Sequence, residues 1–422
     1  MIKLIYTFIY LLRLPYKNIE YLNALRLDKL RKLIIHSKNN VAFYRKKFSN
    51  IELDRIKTVE DIRLLPIINP IELREEKIEN ITTNGLEQKK LLLHSTSGTL
   101  GMPFKLYVTR EEDTLRQLKL IRCLYQHGWK PWWKGVHIWR ETDHKSYSLF
   151  QRLINNRKYF VSIKSTFEEQ AQQILNIKPQ FIYAMTGSLE LLATWMLQNN
   201  TSYKGVKFVL TGGAALTYDI SEKFQKVFGH SGIDMYGAVE TGLIGCQCPY
   251  CNLCYFDDDG SIVEILDENY YPVKPGKSGK AVITILDQFT TPIIRYDIGD
   301  YITIPKRDFN YKNKFTHYVS IDGRVADVLV LKDGRIIQYQ HLAVINRVEG
   351  IKQFQFFQKS NGDLIIKYVR KSCIDKTEIE KNILEKMELT NNAEVSFEEC
   401  DSIPLEPSGK FKRVKREIVN SI

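Results

Sequence analysis

A chain of 422 residues that is 44% hydrophobic and 26% charged has ordinary globular composition, which excludes a disordered tail and allows one large core plus a smaller domain. The formal net charge of +12 points to an anionic partner, and its placement matters more than its total. Residues 1–50 hold eleven Lys and Arg against only Glu20 and Asp28, so most of the excess lies at the N-terminus.

The opening segment MIKLIYTFIYLLRLP is apolar for about a dozen residues, whereas a membrane-spanning helix needs roughly 20. Arg13, Leu14, Pro15, Tyr16 and Lys17 follow where a secretory signal needs small residues, so the segment is expected to stay in the mature chain. With basic residues behind it, it either lies in the interface of an anionic membrane or docks on the body. From Tyr21 to Phe48, Leu22, Leu25, Leu30, Leu33 and Ile34 recur at helical spacing, which predicts one amphipathic helix. Thr58–Arg74 reads as a capped short helix, a stop at Pro66 and a second helix opened by Asn69 and Pro70.

A hydroxyl-rich glycine loop comes next, HSTSGTLGMPFKLY at 94–107, between strand-like runs at Leu91–Leu93 and Phe104–Val108. Ser95, Thr96, Ser97 and Thr99 surround Gly98 ahead of Gly101, a pattern in which backbone N–H groups converge on an anion. Ser, Thr and Gly also fill ordinary hairpin turns, so the loop alone leaves both readings open. A Walker loop is excluded, because the glycine spacing is wrong and Phe104 precedes Lys105.

Arg110–His127 reads as a helix and Gly135–Arg140 as a strand. Helix 166–175, strand 181–184, helix 188–198 and strand 206–210 then alternate, which implies parallel β-α units. Ligands of such sheets sit at the carboxyl ends of strands, where Thr211, Gly212 and Gly213 fall, as do Tyr236 and Gly237 after a short strand at 232–235. Ile262–Ile304 changes to short alternating strands, a β-rich subdomain. Beyond Arg324 about a hundred residues carry their own pattern, with strands at 353–358 and 364–369 and a helix at 376–387. The expected fold is therefore α/β: a large N-terminal domain over 1–323, with β-α layers and a β-rich part, and a small mobile α+β domain over 324–422.

Four of the seven cysteines, Cys246, Cys248, Cys251 and Cys254, fall within nine residues. That clustering points to metal and a reducing cytoplasm instead of a disulfide framework. Four thiolates can close a structural zinc site, a three-cysteine site is the nearest alternative, and unliganded thiols on a loop remain open.

Six stretches occur in a specific order: the loop at 95–101, GGAA at 212–215, YGAVE at 236–240, RYDIGD at 295–300, GRVADV at 323–328 and PSGKFKR at 407–413. That order resembles the adenylate-forming superfamily of acyl-CoA synthetases. KLRKLIIHSKNNVAFYRKKF at 29–48 and TVEDIRLLPIINPIELR at 58–74 resemble its phenylacetate-CoA ligase branch, including CapK-like proteins associated with capsule polysaccharide genes. The resemblance implies that a carboxylic acid attacks the α-phosphate of ATP to give an acyl-adenylate, and that CoA or an amine or hydroxyl acceptor then takes the acyl group.

By the same resemblance, Ser95, Thr96, Ser97, Gly98, Thr99 and Gly101 hold the β- and γ-phosphates, and Gly213, Ala214 and Ala215 line the adenine edge. Tyr236 stacks on adenine beside Gly237, and Glu240 holds Mg²⁺. Asp300 accepts from both ribose hydroxyls and Arg324 meets the ribose and phosphate side. Lys410 brings positive charge to the carboxylate and α-phosphate in the transition state. Read one at a time, Glu240 could be a capping carboxylate, Asp300 a turn residue and Lys410 one of several bases in KFKRVKR; their joint order argues otherwise.

Two departures stand out. Ala326, before Asp327, occupies the place of the family's acidic hinge residue, and GGAA lacks the acidic residue many relatives carry after the glycines. The pocket for the acid is expected near Trp139 and 183–188. Two other functions fit parts of the sequence. A zinc-containing nucleic-acid-binding protein would use the +12 charge and the cysteine knuckle, but the basic excess is N-terminal and lacks interleaved aromatic base-stacking patterns at regular spacing, so no nucleic-acid partner is expected. An inactive scaffold would account for Ala326, against the retention of Glu240, Asp300 and Lys410. The expected location is cytoplasmic, with membrane association through the N-terminus.

Overall fold

The computed structural model describes the chain except Met1 and residues 96–103, 140–156, 252, 308–310, 325–328, 331–335, 338–344, 346–347, 372–373, 388–393, 405–410 and 418–422. It divides into two compact units, Met1–Lys130 with Met235–Ile321, and Pro131–Asp234 with Asp322–Ile422.

The first unit is built on one large apolar core. Helix Ile2–Arg13 opens it, followed by helix Ile19–Asn40, whose N-cap Asn18 accepts from the Tyr21 N–H. The single helix expected over 21–48 is broken at Val41, which is extended (φ −122°, ψ 117°) before helix Ala42–Lys47 starts. The break lets Val41, Tyr44 and Phe48 all enter the core beside Leu30, Leu33 and Ile34, where a continuous helix would turn some of them outward. Tyr44 then donates to the Pro292 carbonyl at 3.0 Å, tying the helices to the strands.

Those strands, Ser261–Leu266, Ser278–Ile285 and Tyr296–Thr303, form the antiparallel array expected of the β-rich region. Two further hairpins matter for function. Strand Leu92–Ser95 pairs with Lys105–Val108 in the register Ser95↔Lys105, so the hydroxyl-glycine loop joins two strands as expected. Strand Gly242–Gln247 pairs back on Ile233–Ala238 and forward on Cys254–Phe256, which in turn pairs with His317–Tyr318.

Helix Arg110–Gln126 is the hub of this unit. Its capping box is complete: Thr109 accepts from the Glu112 N–H, and Glu112 accepts from the Thr109 N–H. Lys119 and Arg122, which spacing alone would assign to a solvated face, are buried. Lys119 lies 2.9 Å from Asp257, 3.5 Å from Asp259 and 2.7 Å from Asp287, and Arg122 pairs with Asp257 and Asp259. Burial pulls the Lys119 ammonium down, and the three carboxylates outweigh it and hold the proton on.

In the second unit, strands Gly135–Trp139, Lys158–Ser162, Phe181–Met185 and Phe208–Gly212 run parallel in the order 158–162, 135–139, 181–185, 208–212. Helices Phe167–Ile177, Thr186–Gln198 and Tyr218–Phe228 fill the crossovers, as the alternation predicts. Strand Lys158–Ser162 was not foreseen. The tail has its own core and a sheet of Ile351–Gln358, Leu364–Arg370, Val395–Glu399 and Val414–Arg416, with helix Lys376–Met387. The expected division after residue 323 separates the tail alone, whereas here it shares a unit with Pro131–Asp234. Leu191, Val369, Ile403 and Phe411 form a joint apolar cluster, and Arg413 pairs with buried Glu190.

Candidate functional site

Tyr236 and Asp300 come from different strands, and the structure brings them together. The Tyr236 hydroxyl donates to Asp300 Oδ2 at 2.9 Å, and both side chains are buried, at 6% exposure each. A buried carboxylate is costly unless hydrogen bonds satisfy it, so Tyr236 also fixes where Asp300 points. The strand pairing that delivers Tyr236 depends on Gly237: a Cβ there would stand 2.5 Å from the Gly242 carbonyl oxygen. Thr241 closes the turn, its hydroxyl accepting from the Ala238 N–H at 3.2 Å.

Glu240 sits in that turn, 5% exposed. The Tyr296 hydroxyl lies 3.4 Å from Glu240 Oε1. Arg116, on the hub helix, donates to the carbonyls of Val239 at 3.1 Å and Glu240 at 2.9 Å, and also bonds Gln288. Sequence reasoning missed Arg116 because a basic residue on a charged helix carries no pattern of its own. It also left Arg295, the first residue of RYDIGD, without a role. Arg295 is buried in a left-handed backbone conformation (φ 45°) and pairs with Glu264 at 2.8 Å.

In the second unit, Gly213 takes φ 80°, the turn conformation that glycine permits at the end of a parallel strand. Thr186 Oγ1 donates to the carbonyls of Gly212 (3.2 Å) and Ala214 (2.9 Å), which fixes the loop carrying Ala215 against the start of helix Thr186–Gln198. One residue on, a Cβ at Gly187 would meet Phe411 Cβ at 2.9 Å and its backbone N at 3.3 Å. Phe411 directly follows Lys410, so the PSGKFKR segment ends beside the GGAA loop. Glu190, one turn along that helix, accepts from Arg413 and from Lys223 at 2.9 Å. Trp139 and Tyr183, expected at the acid pocket, stack at 5.6 Å with 22° between planes.

Thr96, Ser97, Gly98, Thr99, Gly101, Ala326, Asp327 and Lys410 lie outside the described residues, as does the side chain of Arg324 at the end of strand Ser320–Arg324.

The four clustered cysteines do not converge on one point. Cys246, inside strand Gly242–Gln247, faces Cys123 on the hub helix; the two are joined as a disulfide, with His127 beside them. Cys248 and Cys251 lie past the strand end, where the chain reverses, and they meet His317. Cys254 starts the return strand and packs on the apolar core. The expectation of one four-cysteine site is corrected accordingly: the strand ends at Gln247, and the reversal aims the later sulfurs away from Cys246. His317 belongs to the second group, and its Nε2 is buried without a hydrogen-bond partner among the described residues. Burial pushes the Cys248 thiol up to about 11 and the His317 imidazole down.

The chain is similar to known proteins over most of its length. Residues 329–417 match the CapK C-terminal domain. Phenylacetate-coenzyme A ligase of Thermus thermophilus is 22% identical, over 82% of this chain and 80% of that protein. Protein CapK of Staphylococcus aureus is 23% identical over 91% and 86%. Among solved structures, 2-hydroxyisobutyryl-CoA ligase in the postadenylation state superposes with a TM-score of 0.77 at 16% identity, covering 93% of this chain and 89% of that one. ATP-bound MatB from Rhodopseudomonas palustris gives 0.54 at 16% identity, covering 78% and 68%. The α/β architecture foreseen in the sequence is the fold of these ligase structures, and over most of its length the chain is similar to the phenylacetate-coenzyme A ligases and to CapK.

Proposed function

We propose that the protein is an ATP-dependent, AMP-forming carboxylate ligase. The observation that carries the proposal is the buried Tyr236–Asp300 hydrogen bond. It joins two of the six ordered motifs and fixes the position of a carboxylate, a group that when ionised accepts from ribose hydroxyls. Glu240, its backbone held by Arg116, would be the hard ligand for Mg²⁺. In the second unit, the Gly213–Ala215 loop would line adenine and Lys410 would oppose the charge that builds between carboxylate and α-phosphate. The stacked Trp139 and Tyr183 support a flat or apolar acyl group. Phenylacetate-coenzyme A ligases among the relatives support CoA as acceptor; an amine or hydroxyl acceptor in surface polysaccharide synthesis is the alternative that the sequence resemblance to CapK-like proteins suggests.

Cys248, Cys251 and His317 would hold a structural Zn²⁺, a soft donor set with a Cys-x2-Cys knuckle. The ion would pin the hairpin between strands 242–247 and 254–256 to strand 317–318.

The N-terminal helix supports peripheral contact with an anionic membrane face. Ile2, Ile5, Tyr6, Ile9 and Tyr10 repeat at helical spacing and are exposed, while Leu11 packs inward. No helix among the described residues is long and apolar enough to cross a membrane.

The test is a trapping assay. Protein, MgATP and a panel of aryl, fatty and amino acids are incubated with hydroxylamine, and AMP and acyl-hydroxamate are measured. Equal amounts of AMP and hydroxamate with at least one acid class are expected. ADP in place of AMP would overturn the reading.

A further inference from the structure

We infer that Cys123, His127 and Cys246 form a second soft-metal site, distinct from the Cys248–Cys251–His317 group, that takes Zn²⁺ when its two sulfurs are reduced. One donor atom from each of the three residues lies within 4.8 Å of the other two. Cys123 and His127 are four apart at the end of the hub helix, so both project from one face, and His127 Nε2 stands 3.9 Å from Cys246 Sγ. The Cα atoms of Cys123 and Cys246 are 6.7 Å apart, at the wide end of the range a disulfide spans, roughly 4.4–6.8 Å. Zn–S and Zn–N bonds of about 2.3 and 2.0 Å fill a gap of this size. Both cysteines are essentially inaccessible, which suits a closed structural ion. His127 Nε2 donates to the Gln247 carbonyl oxygen at 2.9 Å, so the ring takes up the ion through this nitrogen once that proton moves to Nδ1. Two thiolates and an imidazole select zinc or copper(I) over magnesium or calcium.

Loading the site starts from the disulfide. A dithiol reductant donates two electrons and two protons, the S–S bond breaks, and each sulfur becomes a thiol. Zn²⁺ then replaces the two thiol protons, which pass to buffer, and His127 binds as neutral imidazole. Such an ion would tie the strand pair 233–238/242–247 to the hub helix. Cys246 pairs in the sheet with Met235, next to Tyr236, and Cys123 shares its helix with Arg116, which holds the Glu240 backbone.

The inference does not depend on the proposed ligase activity. Full-length protein is reduced with a dithiol under anaerobic conditions, loaded with Zn²⁺, freed of excess by gel filtration and assayed for zinc by mass spectrometry. Two equivalents are expected. Cys123→Ser, Cys246→Ser and the milder His127→Gln each reduce this by one, and Cys248→Ser removes the other. With Co²⁺ in place of zinc, Cys246→Ser alone should erase part of the thiolate charge-transfer absorption in Cys248→Ser protein. One equivalent lost on Cys123→Ser and kept on Cys248→Ser upholds this site while ending the other. One equivalent that only Cys248→Ser removes, or a stoichiometry unchanged by both Cys123→Ser and His127→Gln, overturns it.

Discussion

The first unit joins Tyr236 to Asp300, 64 residues apart, by one buried hydrogen bond between strands of two different sheets; the second joins Glu190 to Arg413, 223 residues apart, by an ion pair between a crossover helix and the tail. The first contact links two strands that their own ladders hold in place, and persists as long as those ladders do. The second depends on a terminal segment finding its place beside Gly187 and Glu190. The difference suits different jobs: strand residues hold a fixed shape, whereas the proposed approach of Lys410 to the reacting atoms would be made from a tail anchored by charge. Phe411, the residue after it in the sequence, packs on Leu191.

Removing Lys410 should break the comparison most sharply. Lys410→Ala is expected to lose roughly 10²–10³-fold or more in adenylation while ATP binding persists, since it removes charge stabilisation specific to the transition state. Equal loss in ATP affinity by calorimetry would make Lys410 a binding residue instead. Asp300→Asn should act in the opposite sense, raising the KM for ATP by about 10–100-fold, the worth of a charged hydrogen bond, with a smaller effect on kcat. Tyr236→Phe should reproduce part of it, because Asp300 loses its orienting donor.

Glu190→Gln tests the other contact. Deleting one member of a buried ion pair leaves Arg413 and Lys223 uncompensated and should cost about 3 kcal/mol in denaturant unfolding. The same group predicts a pH dependence. Burial alone would raise the Glu190 pKa, but Arg413 and Lys223 lower it to about 2 in the folded protein. The folded value is below the unfolded one, roughly 4.3, so its stabilisation is complete above that pH and is lost as pH falls towards 2. Acid unfolding of Glu190→Gln should lack this component; identical acid curves would remove Glu190 from the account. The smallest effect is expected from deleting residues 1–15, which should abolish sedimentation with anionic vesicles and leave adenylation in solution unchanged.

The alternation of helix and strand over 135–212 was legible in the sequence because strands 135–139, 181–185 and 208–212 are largely buried and read as apolar runs, whereas edge strand Lys158–Ser162 exposes Tyr159 and Phe160 and was missed. The tail's strands at 351–358 and 364–370 were legible by the same token. The break at Val41 was not, since an apolar residue at helical spacing gives no sign that the backbone must turn. The buried network of Lys119, Arg122, Asp257, Asp259 and Asp287 was hidden for a related reason: charges on an amphipathic helix ordinarily face water, and their partners lie some 140 residues on. The cysteine spacing announced metal chemistry but not its division, because His127, His317 and Cys123 reach the hairpin only through tertiary contacts.

ATP–pyrophosphate exchange tests the central claim most directly. Wild-type protein supplied with its acid, MgATP and labelled pyrophosphate should return label to ATP, with Lys410→Ala lower by orders of magnitude and Asp300→Asn restored towards wild type at high ATP. Exchange in Lys410→Ala equal to wild type, or no exchange with any acid class by folded wild-type protein, would contradict it.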